Sequence, residues 1–404
     1  MSHGTIRRVL VAGGGIGGLA AALALQRKGF QAIVLERSEQ LRDGGAGLHI
    51  WTNGVLALDH LGLADEVLKT APAQSVCHFS TWRGDSLGAW PVGEFTDRYG
   101  RPTIAVERSV LHGILLNALQ DDPVRLGAHV AAFTQDRTGV TVRLTDGGTV
   151  RGDILIGADG VHSRVRSGLL GSQAPRYTGY IAWRGQAHIE HPLIPPGSFN
   201  ALFGRGTRFT YYDVAPGTVH WMSVANGPAG GRDEPGTVTA ELTARHRGWT
   251  APVRDLITAT SEAEIIRSDV QDRRPDRRWG SGRVTLLGDA AHPITFNIGQ
   301  GACQAMEDAL VLAERLETAG GRPEAALRAY EKERRARTAP MQRVAWWIGR
   351  MGAVENPVAV RAREAFMRAF WNTRAFPAAE KSQVAYGTRW STTAEPAGPT
   401  TAHS

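Results

Sequence analysis

The pattern of apolar and polar positions divides the chain into two kinds of segment. The first kind is a short, unbroken apolar run that ends in glycine, as in "RRVLVAGGG", "ILIGADG" and "RVTLLGDAA". After the first of these runs, "IGGLAAALALQRKGFQAIVLERSE" predicts a helix and a second apolar strand, which completes a βαβ unit. We therefore expect an α/β domain that is assembled from separated pieces of the chain.

The second kind of segment alternates apolar and polar residues and is rich in aromatic side chains. It covers residues 179–226, where "YIAWRGQAHI", "ALFGRG", "RFTYYDV" and "VHWMSVA" predict the strands of one larger antiparallel sheet. Residues 74–103 predict a β-hairpin excursion, and the "DGG" within residues 128–156 predicts a hairpin turn. A polar helical region is expected before residue 268. Apolar residues at helical spacing predict further helices over residues 53–69, 109–120, 302–317, 323–350 and 356–372.

Composition is that of an ordinary globular protein and argues against several other classes. At 404 residues, with 42% hydrophobic and 21% charged residues, the chain is long enough for two or three domains. The net charge of +7 is scattered, without the basic stripe and interleaved aromatic residues of a nucleic-acid binder. Two cysteines, Cys77 and Cys303, cannot form a disulfide framework and favour a reducing compartment. Glycines interrupt the apolar run over residues 9–25, so we expect a soluble cytoplasmic protein without a membrane span.

The glycine cluster after the first strand carries the first chemical signal. Gly13, Gly15 and Gly18 form a G-x-G-x-x-G pattern at the start of a helix. These glycines permit the tight turn, the approach of the backbone to a pyrophosphate and the packing of helix on strand. Glu36, at the end of the second strand, is placed to accept a hydrogen bond from a ribose hydroxyl. The unit predicts a dinucleotide site and does not distinguish NAD from FAD.

Two further motifs give the chain a resemblance to a known family. "GADGVHSRVR" at residues 157–166 and "GDAAHPITFNIGQGACQAMEDA" at residues 288–309 follow the second and third apolar runs. With the glycine loop, and in this order, they resemble the FAD-dependent single-component aromatic monooxygenases, the superfamily of p-hydroxybenzoate and salicylate hydroxylases. The chain looks closest to the branch with 3-hydroxybenzoate 6-hydroxylase, urate hydroxylase and zeaxanthin epoxidase. The resemblance covers residues 7–350 and is not specific for a substrate.

The resemblance implies an α/β fold with a p-hydroxybenzoate hydroxylase-type, Rossmann-like FAD-binding domain. A mixed, largely antiparallel β-sheet substrate domain is expected to interrupt it, and C-terminal helices to follow. The expected boundaries are residues 1–73, 104–178 and 269–322 for the FAD-binding domain, 74–103 and 179–268 for the substrate domain, 323–385 for the C-terminal helical segment and 386–404 for a disordered tail.

The resemblance also implies which residues hold FAD. Asp289 is expected to bind the ribityl chain, and the helix that opens at Gly299, Gly301 and Ala302 to point its N-terminus at the flavin pyrimidine. A helix N-terminus offers free N–H donors and about half a positive charge, which stabilises the reduced anionic flavin. The other implied cofactor-binding residues are Gly13, Gly15, Gly18, Glu36, Arg37, Gly47, Arg108 and Asp159.

Several of these candidates also have a structural interpretation. Arg108 could be a surface residue at the start of a helix, and Asp159 could belong to a simple turn. We interpret Glu307 and Asp308 as ordinary polar residues of their helix. His49 is interpreted as structural rather than catalytic.

Candidates for substrate contact lie on the second domain and beside the flavin. Arg184 is expected to meet an anionic or carbonyl oxygen of the substrate, unless it is a surface arginine of its strand. Gln300 is expected to orient the substrate. Phe296 stands where relatives usually carry the proline of "HPxxPxxGQG", so we expect its ring to pack on the flavin and narrow the pocket, or the altered loop to shift the oxygenation outcome. A group of aromatic residues is expected to lie mostly in the core, with one or two lining the pocket: Trp183, Tyr211, Tyr212, His220 and Trp221.

By the same resemblance, NADH or NADPH reduces FAD, O2 adds at the flavin C4a position, and the hydroperoxide transfers one oxygen atom to an aromatic or other electron-rich small molecule. The alternatives are a flavin dehydrogenase or reductase on the same fold, without oxygen incorporation, and an FAD-loaded binding protein without turnover. His292 and Cys303 have no further ligands at suitable spacing, so no metal site is expected. We expect a monomer or homodimer with no nucleic-acid partner and no integral membrane segment.

Overall fold

The structure, a computed structural model, describes residues 6–40 and 46–390. Its strands are β1 Arg8–Ala12, β2 Gln31–Leu35, β3 Gly47–Ile50, β4 Ala73–Gln74, β5 Val76–Thr81, β6 Ser86–Trp90, β7 Thr103–Glu107, β8 Val124–Arg125, β9 Val130–Gln135, β10 Val140–Leu144, β11 Thr149–Gly152, β12 Ile154–Gly157, β13 Arg176–His188, β14 Ser198–Phe203, β15 Thr207–Ala215, β16 Thr218–Asn226, β17 Ile266–Asp272 and β18 Val284–Leu286.

The helices alternate with these strands at first and then dominate the C-terminal part. They are α1 Ile16–Arg27, α2 Thr52–His60, α3 Ala64–Leu68, α4 Phe95–Tyr99, α5 Arg108–Asn117, α6 Arg164–Leu170, α7 Val238–Arg245, α8 Val253–Thr258, α9 Gly301–Glu317, α10 Pro323–Gly352, α11 Pro357–Phe370 and α12 Phe376–Ala379. Two π-helical turns, Trp371–Ala375 and Glu380–Val384, flank α12.

A parallel sheet of five strands, in the order β18-β12-β1-β2-β8, forms the first layer. The three apolar runs that end in glycine supply β1, β12 and β18, whose side chains are buried almost throughout, as their uninterrupted apolar sequence requires. β1, α1 and β2 form the predicted βαβ unit. A Cβ on Gly17 would lie 3.0 Å from the Cβ of Ala305, so glycine lets α1 approach α9 closely. The carboxyl ends of these strands share one edge, which is where such sheets bind ligands.

A seven-stranded sheet, in the order β17-β13-β16-β15-β14-β5-β6, forms the second layer. It is antiparallel except for the β14–β5 pair, so the expected mixed, largely antiparallel sheet is confirmed. Its outer face packs Trp183, Phe209 and Trp221 against α7 and α8. Its inner face is thereby left to face the parallel sheet. The expected domain boundaries stay predictions, although β5 and β6 do join this second sheet.

Two local expectations are wrong. Residues 266–268, expected at the end of a helical region, already belong to β17, which pairs with β13. Residues 386–390, expected to begin a disordered tail, lie in a helical turn, Ala385–Trp390, where Trp390 is buried against the core. The rest of the expected tail, residues 391–404, lies outside the described residues.

Candidate functional site

The glycine loop closes the end of β1 against β12. Gly13 has a φ of 106°, and a Cβ there would lie 2.5 Å from the carbonyl oxygen of Ala158. A Cβ on Gly18 would lie 1.9 Å from the carbonyl oxygen of Gly13, so both positions require glycine. α1 starts after Gly15 without a side-chain cap. Its first N–H groups are therefore available to an anion.

Glu36 follows β2 and turns back onto this loop. Its carboxylate accepts hydrogen bonds from the N–H groups of Gly14 (2.7 Å) and Ser38 (2.9 Å). Burial alone would raise the pKa of Glu36, but these hydrogen bonds outweigh burial and hold the pKa below its ordinary value. The carboxylate is thus held as an anion, with lone pairs left for a ribose hydroxyl. Arg37 is exposed and does not line the cavity described below.

Asp159 follows β12 and caps the short helix α6. Its carboxylate accepts hydrogen bonds from Ser163 Oγ (2.5 Å) and from the N–H of Arg164 (2.7 Å). Burial nevertheless raises the pKa of Asp159 above its ordinary value. Its neighbours Ala158 and Gly160 line the cavity, whereas Asp159 does not. A contact between Asp159 and the cofactor therefore stays a prediction.

Asp289 follows β18 and lines the space between the two sheets. Within the described ranges no donor hydrogen bonds to its carboxylate. Enclosure raises the pKa of Asp289 above its ordinary value, while the nearby His292 and Arg108 act in the opposite direction. A carboxylate that is exposed to the cavity and has no donor is suited to accept hydrogen bonds from a polyhydroxyl chain.

The loop before α9 turns sharply at Gly299, whose φ is 63°. A Cβ there would lie 2.8 Å from Trp51 Nε1, which itself donates a hydrogen bond to the carbonyl oxygen of Ile298 (2.9 Å). The first residues of α9, Gly301 and Ala302, line the cavity, and the helix start carries no side-chain cap. Its free N–H groups and partial positive charge therefore face the cavity.

Gln300 lies in this turn, but its side chain points away from the cavity. The side chain is fully buried, exchanges hydrogen bonds with Asn53 (3.1 and 3.2 Å) and accepts one from Gln304 (3.0 Å). The expected role of Gln300 in orienting substrate does not agree with this placement. Because its amide is engaged inside the core, we assign it to holding the start of α9.

Glu307 and Asp308 are fully buried, so their interpretation as ordinary polar helix residues is wrong. Arg334, on α10, donates hydrogen bonds to Asp308 (2.6 Å) and Glu307 (2.8 Å). Asp308 also accepts from the N–H of Gly288 (2.9 Å) and contacts Nε2 of His292 (2.6 Å). Burial would raise the pKa of each carboxyl group, but the surrounding cations outweigh it and lower both. The cluster fixes the end of β18 against α9.

Arg184, on β13, lies on the opposite wall of the cavity. Its guanidinium donates a hydrogen bond to Ser268 Oγ (3.2 Å), and no carboxylate of the described residues pairs with it. Burial lowers the pKa of Arg184, which still leaves an arginine fully charged at neutral pH. The alternative of a surface arginine is therefore wrong, and a cation faces the cavity.

Tyr212 and His220 line the same wall as Arg184. Nδ1 of His220 accepts a hydrogen bond from the N–H of Gly47 (3.0 Å), and a Cβ on Gly47 would lie 2.5 Å from that of His220. Burial, with the charge of Arg184, lowers the pKa of His220 to about 3. The neutral ring then carries its proton on Nε2, so this wall offers an N–H donor that does not titrate near neutral pH.

The two walls enclose a cavity of about 800 Å³. Phe296 is partly buried beside it, with its ring edge-on to Tyr180 at 6.3 Å between centroids. Nine of the expected site residues line this cavity: Gly15, Gly47, Arg108, Arg184, Asp289, Phe296, Gly299, Gly301 and Ala302. Six do not: Gly13, Gly18, Glu36, Arg37, Asp159 and Gln300. The cavity thus has two uncapped helix starts, those of α1 and α9, and the unpaired carboxylate of Asp289. These groups fit the FAD that the resemblance implies.

Arg208 is a cavity-lining residue that the sequence reasoning missed. It is buried on β15, and its guanidinium donates a hydrogen bond to Asn297 Oδ1 (2.7 Å). Arg208 alternates with Thr210 and Tyr212, so the period of two was the signal that placed it on the inner face. His49 lines the cavity among aromatic rings, and burial lowers its pKa to about 3, so its structural role stays a prediction.

Two kinds of feature are absent from the part of the chain that the structure describes. Over residues 6–40 and 46–390, no group of three or more His, Cys, Asp or Glu side chains is arranged to hold a metal ion. Over the same ranges, no helix has the length and apolar content that crossing a membrane requires.

Comparison with known proteins agrees with this geometry. Residues 7–345 match the FAD binding domain family. The aurachin C monooxygenase/isomerase of Stigmatella aurantiaca is 39% identical over 360 residues, which are 89% of this chain and 93% of that protein. The FAD-dependent urate hydroxylase of Klebsiella pneumoniae is 36% identical over 330 residues, which are 81% of this chain and 85% of that protein.

A solved structure, that of Klebsiella pneumoniae HpxO complexed with FAD and uric acid, superposes with a TM-score of 0.86 at 31% identity. The superposition covers 96% of this chain and 97% of HpxO. A family match over most of the chain, together with relatives at this identity, shows that the chain belongs to the FAD binding domain family, alongside flavin-dependent monooxygenases.

Proposed function

We propose that the protein is an FAD monooxygenase that uses NADH or NADPH and O2 to insert one oxygen atom into an aromatic or other electron-rich small molecule. One observation carries the proposal: a single cavity has Asp289 and the start of α9 on one wall and Arg184 on the other. The names of the relatives, which are a monooxygenase/isomerase and a hydroxylase, support the same reaction class.

Each part of the cofactor has a matching group in this chain. The start of α1 would hold the pyrophosphate, Glu36 the ribose, and Asp289 the ribityl chain. The start of α9 would place N–H donors and partial positive charge where the reduced flavin is negative. Reduced flavin supplies the activation of O2 and the transfer of one oxygen atom.

The opposite wall would position the substrate. Arg184 offers a cation and His220 an N–H donor, and both suit a carbonyl or ionised hydroxyl oxygen on an electron-rich ring. The aromatic side chains around them keep water away, which strengthens these interactions. In this proposal NAD(P)H binds transiently, because the sequence contains no second nucleotide fingerprint beside the first. A cytoplasmic monomer or homodimer belongs to the same proposal.

Labelled oxygen tests the proposal. A panel of aromatic and polyketide-like compounds is first screened for those that accelerate NADH or NADPH oxidation by the FAD-loaded protein. The best compound is then turned over under ¹⁸O2, with H2¹⁸O under ordinary O2 as the control. We expect one ¹⁸O atom in the product from ¹⁸O2 and none from water. An oxidised product without label from ¹⁸O2 would establish the dehydrogenase alternative instead.

A further inference from the structure

The cavity continues from Arg184 into a compartment that is lined by aromatic side chains. Five rings define this aromatic compartment: Phe79, Trp90, Phe199, Trp371 and Phe376. The Phe79 ring lies 4.7 Å from Trp371 and 5.2 Å from Phe376, and Trp90 stacks on Phe376 at 5.0 Å between centroids. The five rings carry no charge, and a cavity-lining cation near them, Arg208, pairs with Phe203 across β15 and β14. The chemistry of the five rings therefore differs from that of the Arg184 end.

Residues that pair across neighbouring strands of the seven-stranded sheet form one row, which runs from Arg184 to the aromatic compartment. Arg184 pairs with Met222, Met222 with Thr210, Thr210 with Ala201, and Ala201 with Phe79. All five side chains line the cavity. Four steps between strands about 4.8 Å apart give a floor of about 19 Å from Arg184 to Phe79. The middle of this floor carries Met222, Thr210 and Ala201, whose side chains are flexible or small.

The C-terminal segment forms the roof over the aromatic end. Trp371, Ala375, Ala379 and Gln383 recur every four residues, and all four line the cavity. The two π-helical turns widen the helix there and keep these positions on one face. Two alanines and one amide leave room under this roof that larger side chains would fill.

The side chains of the floor do not fill the compartment. Phe79 and Phe199 are only partly buried, although aromatic rings surround them, so their free surface faces the cavity. Cavities lined by apolar side chains exclude water and gain free energy from an apolar occupant. A compartment of this kind at one end of a floor, with a cation at the other end, suits a ligand with one polar end and one hydrocarbon end.

We propose that the substrate is amphiphilic, with an electron-rich ring between Arg184 and the flavin and a hydrocarbon chain in the aromatic compartment. The position of the ring rests on the proposed function. The position of the hydrocarbon chain depends only on the floor and the roof of the compartment. It can be tested by measuring binding of the ligand without turnover. A single unsubstituted ring would leave much of the 19 Å floor, an estimate from strand spacing, uncovered.

A homologous series of ligands tests the proposal directly. Phenol and 4-alkylphenols up to 4-octylphenol are titrated into the FAD-loaded protein by calorimetry, without NAD(P)H. We expect the Kd to fall up to about fourfold for each added methylene, the factor that corresponds to about 0.8 kcal/mol, until the compartment is full. A Kd that is independent of chain length would overturn the proposal.

Neighbouring alanines of α12 supply the matched variants. Ala379 lines the compartment, whereas Ala378 is exposed and does not. Ala379→Trp should abolish the dependence on chain length, and Ala378→Trp should leave it as in the wild type. Equal behaviour of the two variants would place the chain elsewhere and overturn the proposal. If Ala379→Trp is purified without FAD, Ala201→Leu, which narrows the compartment from the sheet side, replaces it.

Failure of this proposal is distinguishable from failure of the proposed function. Dependence on chain length without ¹⁸O in any product would contradict the monooxygenase alone. Incorporation of ¹⁸O with a flat series of Kd values would contradict the aromatic compartment alone.

Discussion

Asp289 and Arg184 carry opposite charges on opposite walls of one cavity, and neither has an ion-pair partner among the described residues. Asp289 is exposed to the cavity and Arg184 is only partly buried, so both charges are accessible to a bound molecule. Perturbed, unpaired groups in a cleft are typical of binding and catalytic sites. Each of the two charges therefore supports its own prediction.

Removing the Asp289 carboxylate should weaken FAD binding. A hydrogen bond to a charged group contributes about 1.5–3 kcal/mol, so Asp289→Ala should raise the Kd of FAD about 10- to 150-fold. Titration of the apoprotein with FAD, followed by flavin fluorescence, measures this. Asp153→Asn is the control, because Asp153 lies outside the cavity lining and its carboxylate accepts hydrogen bonds from the N–H groups of Arg7 and Arg8. An unchanged Kd in Asp289→Ala would remove Asp289 from the cofactor site.

Removing the Arg184 guanidinium should impair the use of substrate and spare the cofactor. Arg184→Ala should raise KM or lower kcat, for a combined loss of about tenfold or more in kcat/KM, while FAD content stays that of the wild type. Ser268→Ala removes only the hydrogen bond that orients the guanidinium, so its effect should be smaller. Loss of flavin from Arg184→Ala, or wild-type kinetics, would contradict the assignment.

α9 is the element on which both halves of the site depend. Its start faces the cavity, and its second turn carries the buried Glu307 and Asp308. Arg334 holds these carboxylates from α10, and Asp308 in turn holds the backbone N–H of Gly288 at the end of β18. Three separate elements are thus locked by one cluster of charges, and disturbing the cluster should disturb the site.

Breaking this cluster should cost both stability and affinity for FAD. Arg334→Leu leaves Glu307 with only Arg337 and Asp308 with only His292, and breaking a buried ion pair typically costs about 3–5 kcal/mol. Urea unfolding at neutral pH measures the loss, and FAD titration the weaker site. Arg151→Leu removes an exposed ion pair with Asp136 and should cost much less. Equal losses of unfolding free energy in the two variants would show that the buried cluster stabilises the fold no more than an exposed ion pair does.

The loop at Phe296 is already shaped for a proline. Thr295 before it is extended, with a ψ of 147°, and no acceptor of the described residues takes the N–H of Phe296. Phe296→Pro should therefore keep the loop and the flavin absorbance and remove only the ring. We expect a wider pocket, with a smaller fraction of NAD(P)H oxidation appearing as product rather than peroxide. Phe296→Ala is the control, and unchanged coupling and substrate range in both variants would make Phe296 neutral.

Across the whole molecule, three buried histidines link stability to pH. Burial lowers the pKa of His49, His220 and His246 to about 3 in each case. The unfolded chain takes up a proton near pH 6.5, whereas the folded protein does not, so stability that is complete above pH 6.5 is lost as the pH falls towards 3.

The free energy of unfolding should accordingly fall below about pH 6.5, by at most about 1.4 kcal/mol per pH unit for each histidine. Urea unfolding with excess FAD between pH 8 and pH 5 measures the slope. His246→Gln, remote from the cavity lining, should reduce that slope by about a third whatever it does to the absolute stability. A flat profile between pH 7 and pH 5.5 would contradict the prediction.

Local patterns predicted the fold and the cofactor loop, because strand, turn and helix follow directly along the chain at Gly13 and Glu36. Arg208 was readable from alternation along its strand. The cluster of Glu307, Asp308 and Arg334 was not readable, since it depends on which faces of α9 and α10 meet. The side chain of Gln300 was placed wrongly for the same reason, because a turn motif does not say which way its side chain points.

The interruption of the parallel sheet has a consequence for synthesis on the ribosome. β1 and β2 emerge early, but β18 and the start of α9 follow only after the strands of the second sheet from β13 to β17 have been made. The nascent chain therefore contains the glycine loop long before it contains Asp289. With Asp289 and the start of α9 holding the flavin, as we propose, we expect flavin capture late in translation, and we expect a chain that stops near residue 280 to have the nucleotide loop but not to retain a flavin.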